Sequence, residues 1–357
     1  MAFEKEKRQR GKQKMKRRIV AVLCTVFCLA FLIPSAIPAF AVGAGREVIV
    51  GGSLFGVRMH TDGVLIVGLD KVTPRDGEAP RAPAYDCGIR LKDIITEIDG
   101  KPVKDSSTVT NAIRDCKGNA ITVKIKRGDT PKYFTLIPAK DKEGNYRAGI
   151  WIRDAAAGIG TVTYVDPKTG EFAGLGHGIC DGETGTVLPI KRGAVSEVQL
   201  LGVVKGQKGI PGELKGTVSN AKSGALIKNT RCGVYGLFSA IPSQLCERMK
   251  VAGKQEIKEG AAPLRCAADG TVKDYEVNIS KIDIDEDIKN FVVTVTDKRL
   301  LELTGGIVQG MSGSPIIQDG KLVGAVTHVL INDPTAGYGI FIENMLNAAQ
   351  MPMAKAS

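Results

Sequence analysis

From about residue 145 onward, Gly and Pro cut the chain into apolar segments of strand length: "YRAGIWIRD", "GIGTVTYVD", "FAGLGHGI", "GTVLPIKRGAVSEVQLLGVV", "RCGVYGLFS", "YEVNISKIDI", "NFVVTVTDK" and "GYGIFIE". Such a rhythm leaves no room for long helices and predicts an all-β sandwich or a pair of barrels. The 43 glycines and the 5% aromatic content fit turn-rich β structure better than a helical bundle. "GQKGIPGELKG" holds three Gly-x-y triplets, but Lys215-Gly216 breaks the period at once, so it reads as a loop.

The opposite end is built differently. Residues 1–18 carry nine Lys/Arg and two Asp/Glu, so +7 of the formal net charge of +11 sits there. The remainder, with 40 basic and 36 acidic residues, is an ordinary solvated surface. It has no basic stripe interleaved with aromatics, and nucleic acid is not expected as a partner. The basic tail runs into "IVAVLCTVFCLAFLI", where Thr25 is the one polar residue, and then into a small-x-small site at Ala39-Phe40-Ala41. Residues 19–42 therefore read as a signal or transmembrane segment, cleaved or kept as an anchor. In either case the cations hold the N-terminus in the cytoplasm and the rest of the chain is exported.

Of eight cysteines, Cys24 and Cys28 lie in that apolar segment and the other six are scattered without metal-ligand spacing. Export permits disulfides, but a chain of this size does not need them, and buried free thiols are the default. Neither a metal nor a cofactor is expected.

Between residues 51 and 140 the pattern changes to α+β. "GGSLFGVRMHTDGVLIVGL" alternates like two strands joined at "TDG". A Pro-, Asp- and Gly-rich loop follows, then a short helix, a strand from Asp93 to Ile98, a second helix capped by Ser106 or Ser107, and two closing strands. "APAYDCGIRLKDIITEIDGKPV" resembles the core of bacterial PDZ domains. That resemblance implies a loop whose amides take a peptide's C-terminal carboxylate while the peptide adds to the sheet edge. "LFGV" falls at the place of that loop, giving Phe55, Gly56 and Val57 as peptide-binding residues; their plainer reading is the core of a strand.

Serine acyl transfer needs a base, a group that fixes the base's tautomer, and donors for the oxyanion. "GMSGSP" resembles the nucleophile turn of chymotrypsin-like proteases. Aligned so, Ser312 is the nucleophile, the amides of Gly310 and Ser312 form the oxyanion hole, and Ser314 is a turn residue. The plainer reading is a mere hairpin. "GKLVGAVTHV" then supplies the specificity pocket at Thr327, His328 and Val329, with no carboxylate to demand Arg or Lys. Of the three histidines, His177 has glycine on both sides and is the candidate base; His60 lies in the PDZ-like part and His328 in an apolar strand. The orienting acid is open among Asp181, Asp283, Asp285, Asp287 and Asp297. A Cys180–His177 hydrolase is a weaker arrangement, because it leaves the serine turn unused.

Taken together, "AAGIGTVTYVDP", "FAGLGHGICD" and "GGIVQGMSGSPIIQDGKLVGAVTHVLINDPTAGYGIFIENML" resemble the stage IV sporulation protein B family over almost the whole chain. The resemblance implies a mainly β protein with an N-terminal membrane segment, a PDZ domain (residues 51–140) and a chymotrypsin-like double-barrel serine peptidase domain (residues 146–350). It places the catalytic acid on Asp297, beside His177 and Ser312. It also implies a signalling protease in the space between forespore and mother-cell membranes, which cleaves itself and then a membrane-bound regulator of an intramembrane metalloprotease, so that a late sigma factor matures. The alternative is a non-catalytic exported PDZ scaffold with a degenerate protease fold.

Overall fold

The structure is a computed structural model that describes residues 45–74 and 78–350. The segment expected at the membrane lies outside the described residues. Among those described, no helix is long and apolar enough to cross a membrane.

In chain order, β1 (Glu47–Val50) and β2 (Leu54–Leu69) precede a short helix α1 (Pro83–Asp86), β3 (Ile94–Ile98) and β4 (Lys101–Pro102). Helix α2 (Ser106–Asp115), β5 (Ile121–Arg127), β6 (Thr130–Leu136) and the small pair β7 (Ala139–Lys140) and β8 (Tyr146–Arg147) follow. Next come β9 (Ile150–Val165), β10 (Glu171–Gly174), β11 (Ile190–Val204), β12 (Glu213–Thr230), β13 (Gly233–Phe238) and β14 (Arg248–Val251). The last part holds β15 (Gly260–Cys266), β16 (Lys273–Ser280), β17 (Phe291–Val295), helix α3 (Lys298–Thr304), β18 (Pro315–Gln318), β19 (Lys321–Leu330), β20 (Asp333–Phe341) and helix α4 (Ile342–Gln350). Apart from β7 and β8, the strands join in one hydrogen-bonded sheet that closes on itself.

Three apolar cores explain the layout. One, around Ile89, Ile95, Val109 and Ile125, fills the α+β part, where Arg127 grips the buried Asp93 with two hydrogen bonds of 2.7 and 2.8 Å. A second, around Phe55, Met59, Phe172 and Val195, also takes in Leu175. A third, around Leu264, Val277, Phe291 and Phe341, takes in Met311. A smaller cluster under α4 includes Tyr164, Leu322 and Met345. The residue before His177 by two and the residue before Ser312 by one therefore anchor in different cores.

β2 corrects the expected hairpin. It is a single strand of 16 residues. "TDG" is a bulge inside it, with a register shift between His60 and Leu65 and Gly63 at φ 88°. The hairpin loses because both halves find longer partners: β9 pairs along the strand from Leu54 to Leu69, and β11 from Phe55 to Thr61. Alternation then divides β2 between two cores, Leu65 facing one and Ile66 the other. The cap of α2 is Asp105, whose carboxylate accepts from the Thr108 amide, in place of Ser106 or Ser107.

Candidate active site

The serine turn is defined by glycines on one side and threonines on the other. Gly310 and Gly313 have φ of 98° and 94°, a region that side chains rarely adopt. A Cβ on Gly313 would stand 2.1 Å from the Thr161 carbonyl oxygen and 2.4 Å from the Leu175 nitrogen, so only glycine fits. The buried hydroxyls of Thr161 and Thr163 donate to the carbonyls of Gly310 (2.8 Å) and Gly313 (2.7 Å). β19 holds the other side, where Gly313 N–H donates to the Val326 carbonyl at 2.7 Å. Beyond the turn, β18 and β19 meet through Asp319 and Gly320, both at positive φ as a two-residue hairpin turn requires.

Thr161 also fixes the histidine turn. Its N–H donates to the Ser312 carbonyl (2.9 Å), and its own carbonyl accepts from Leu175 N–H (3.3 Å). One residue of β9 thus joins both turns. Leu175 and Gly176 pass through positive φ, and a Cβ on Gly176 would meet the Thr327 methyl at 2.9 Å. Farther along, the Asn229 side chain accepts from Ile179 N–H and donates to the carbonyls of Ile179 and Leu188.

Of the two serines, Ser312 is half-buried and Ser314 fully buried. Ser312 Oγ donates to the Thr327 carbonyl at 2.7 Å. Among the described residues, the amides of Gly310 and Ser312 donate no hydrogen bond, which is the condition an oxyanion hole has to meet. His177 is half-buried, and its Nδ1 lies 2.9 Å from the Gly178 carbonyl. Protonated at Nδ1, the ring keeps Nε2 as an acceptor. The His328 ring packs against it with centroids 4.6 Å apart and planes tilted by 35°. Thr327 is buried and bonded to the Tyr338 carbonyl, whereas a register shift between Val326 and Val329 turns His328 outward. Burial holds His177 below its ordinary value, against the pull of the Gly178 carbonyl. Desolvation of the His328 ring, then repulsion from a protonated His177 and from Lys289, bring His328 down to about 4, so it is neutral near pH 7.

Asp297 and the "LFGV" residues are engaged elsewhere in the structure. Asp297 makes no hydrogen bond to His177 among the described residues: its carboxylate caps α3 by accepting from Arg299 N–H (2.8 Å), pairs with the Arg299 guanidinium (2.6 Å) and accepts from Glu276 N–H (3.3 Å). The hydrogen bonds from Arg299 hold it at about 2. Phe55, Gly56 and Val57 form no carboxylate-binding loop. They lie in β2 between β9 and β11, with Phe55 and Val57 each 2% exposed, so neither strand edge is open to a peptide. The Cys180 thiol is held above its ordinary value by partial desolvation of the sulfur and then by the neighbouring Asp181 charge, which disfavours the reactive thiolate. Among the described residues, no cluster could hold a metal ion.

Thr161 and Thr163 escaped sequence reading. Their signal was the alternation in "GTVTYV": two threonines on one face of an otherwise apolar strand need buried partners.

The sequence matches the SpoIVB peptidase S55 family over residues 144–346 and a PDZ domain over residues 54–137. No curated protein matches the chain. Among solved structures, it is similar to the PDZ domain of the SdrC-like protein Lmo2051 of Listeria monocytogenes, at 29% identity over 26% of this chain and 87% of that one (TM-score 0.20). The PDZ domain of the SdrC-like protein Lin2157 of Listeria innocua gives 28% identity over 26% and 94% (TM-score 0.21). An inactive serine-to-alanine form of Rv3671c from M. tuberculosis H37Rv matches at 14% identity over 55% and 84% (TM-score 0.31).

Proposed function

Since the chain belongs to the SpoIVB peptidase S55 family and is a serine endopeptidase with a PDZ domain, we propose that Ser312 is its nucleophile and His177 its general base. The observation that carries this reading is Thr161, which binds the serine turn through its N–H and the histidine turn through its carbonyl. Ser312 Oγ leaves the Thr327 carbonyl, attacks the peptide carbonyl and gives its proton to Nε2 of His177. The oxyanion is received by the amides of Gly310 and Ser312. His177 then protonates the leaving amine, and water releases the acyl group by the reverse path. The Gly178 carbonyl fixes the tautomer of His177, the task expected of Asp297, which here secures the end of β17 and the start of α3. We assign the substrate's side chain to the end of β19, at Thr327, His328 and Val329.

The substrates are proteins. We assign the chain first to itself and then to a membrane-bound regulator of an intramembrane metalloprotease, with release of a late sporulation sigma factor as the outcome. The family and the basic, apolar N-terminal 42 residues support an exported enzyme between the forespore and mother-cell membranes. Incubation of the purified full-length chain, wild type beside Ser312→Ala, followed by intact mass, tests the reading. Fragments from wild type alone support it. Equal fragmentation of both, or of neither with the membrane-bound target supplied, leaves the scaffold reading.

A further inference from the structure

The first half of β9 lies on the α+β part of the molecule before the strand enters the peptidase part. It pairs antiparallel with β2 through Leu65–Arg153, Ile66–Ile152, Gly68–Trp151 and Leu69–Ile150. Arg153 and Asp154 are consecutive, so their side chains leave opposite faces of the strand. Asp154 accepts from the Ser106 N–H, at the first residue of α2, at 2.7 Å. Arg153 points the other way and meets Asp181, Nε to Oδ2, at 3.2 Å.

Asp181 is the knot of the loop that follows His177. Its side chain is fully buried. Oδ1 accepts from Thr184 N–H (2.8 Å), Thr184 Oγ1 (2.9 Å) and Glu183 N–H (3.2 Å), while its main chain bonds Gly185 and Thr186. Oδ2 has no hydrogen bond, so the Arg153 guanidinium is its charge partner. A buried carboxylate deprived of its partner is costly, and the loop around it is expected to loosen. Leu188 N–H bonds the Ile179 carbonyl at 3.0 Å and closes the loop at its far end, which carries any such loosening back toward His177.

We propose that Arg153 and Asp181 are positioning residues for His177, and that Asp154 makes their placement depend on helix α2 of the PDZ domain. The kinetic part of this proposal rests on His177 and Ser312 acting as assigned above. A change at α2, such as a partner docking there, then reaches the base through two neighbouring residues of one strand.

The test uses the full-length chain as wild type, Arg153→Ala, Arg153→Lys and Asp154→Ala, with amide hydrogen exchange, kcat and KM for a peptide substrate, and thermal midpoints. Arg153→Ala is expected to raise exchange over residues 177–188 by about tenfold while leaving 105–115 unchanged. It is expected to lower kcat with little change in KM, and Arg153→Lys to restore most of both. Asp154→Ala is expected to raise exchange in both stretches. The proposal is overturned if Asp154→Ala changes only 105–115, or if Arg153→Ala leaves 177–188 as in wild type. Should no variant, wild type included, show serine-dependent turnover, the catalytic assignment fails while exchange still decides the coupling.

Discussion

Ser312 and His177 sit on turns that bond to one residue of β9, whereas Asp297 sits at the end of β17 with its carboxylate occupied by α3, Arg299 and Glu276. Both turns pass through positive φ, at Gly310 and Gly313 in one and at Leu175 and Gly176 in the other, and the amides of Gly310 and Ser312 are left for a ligand. Asp297 caps α3, and both of its carboxylate oxygens already accept hydrogen bonds, Oδ1 from the Arg299 main chain and side chain and Oδ2 from the Arg299 guanidinium and the Glu276 N–H.

The largest effect expected from that contrast is at the two turns. Ser312→Ala and His177→Ala should each lower kcat by roughly 10³-fold or more, with thermal midpoints little changed. Gly313→Ala should act on stability instead. A Cβ inside contact distance of two backbone atoms, at positive φ, should cost about 3 kcal/mol in denaturant unfolding. Thr163→Val strands the buried Gly313 carbonyl and should cost about 1–3 kcal/mol, with a fall in kcat as the turn loosens. Asp297→Ala should remove a cap worth about 1 kcal/mol and lower kcat/KM less than either turn variant. A loss as deep as that of His177→Ala would show that α3 yields its cap to the base during turnover. The smallest effect is in pH. Because burial depresses His177, its neutral, proton-accepting form persists below the ordinary value, and the acid limb of kcat/KM should fall below pH ~6.5. An acid limb above that value would mean that a carboxylate reaches the ring.

Much of this was legible in the sequence, for physical reasons. Glycine marks positive φ and close approach, so "LGHG" and "GMSGSP" announced their turns from residue type alone. Strand rhythm announced the β architecture. Pairing was not legible. "TDG" carries an honest hairpin signal, and only the long partners β9 and β11 make it a bulge. "LFGV" has the composition of a carboxylate loop and also of a core strand, and the choice depends on which neighbours arrive. Asp297 was assigned by resemblance, because a strand-end aspartate looks the same in sequence whether it faces a histidine or caps a helix.

The central claim is that Ser312 is activated by His177. Its most direct test is reaction of the full-length protein with a phosphonofluoridate, with the adduct located by peptide mass. The account predicts one adduct, on Ser312, absent in Ser312→Ala, strongly slowed in His177→Ala and largely retained in Asp297→Ala. An adduct elsewhere, or labelling of Ser312 that is indifferent to His177, would contradict it.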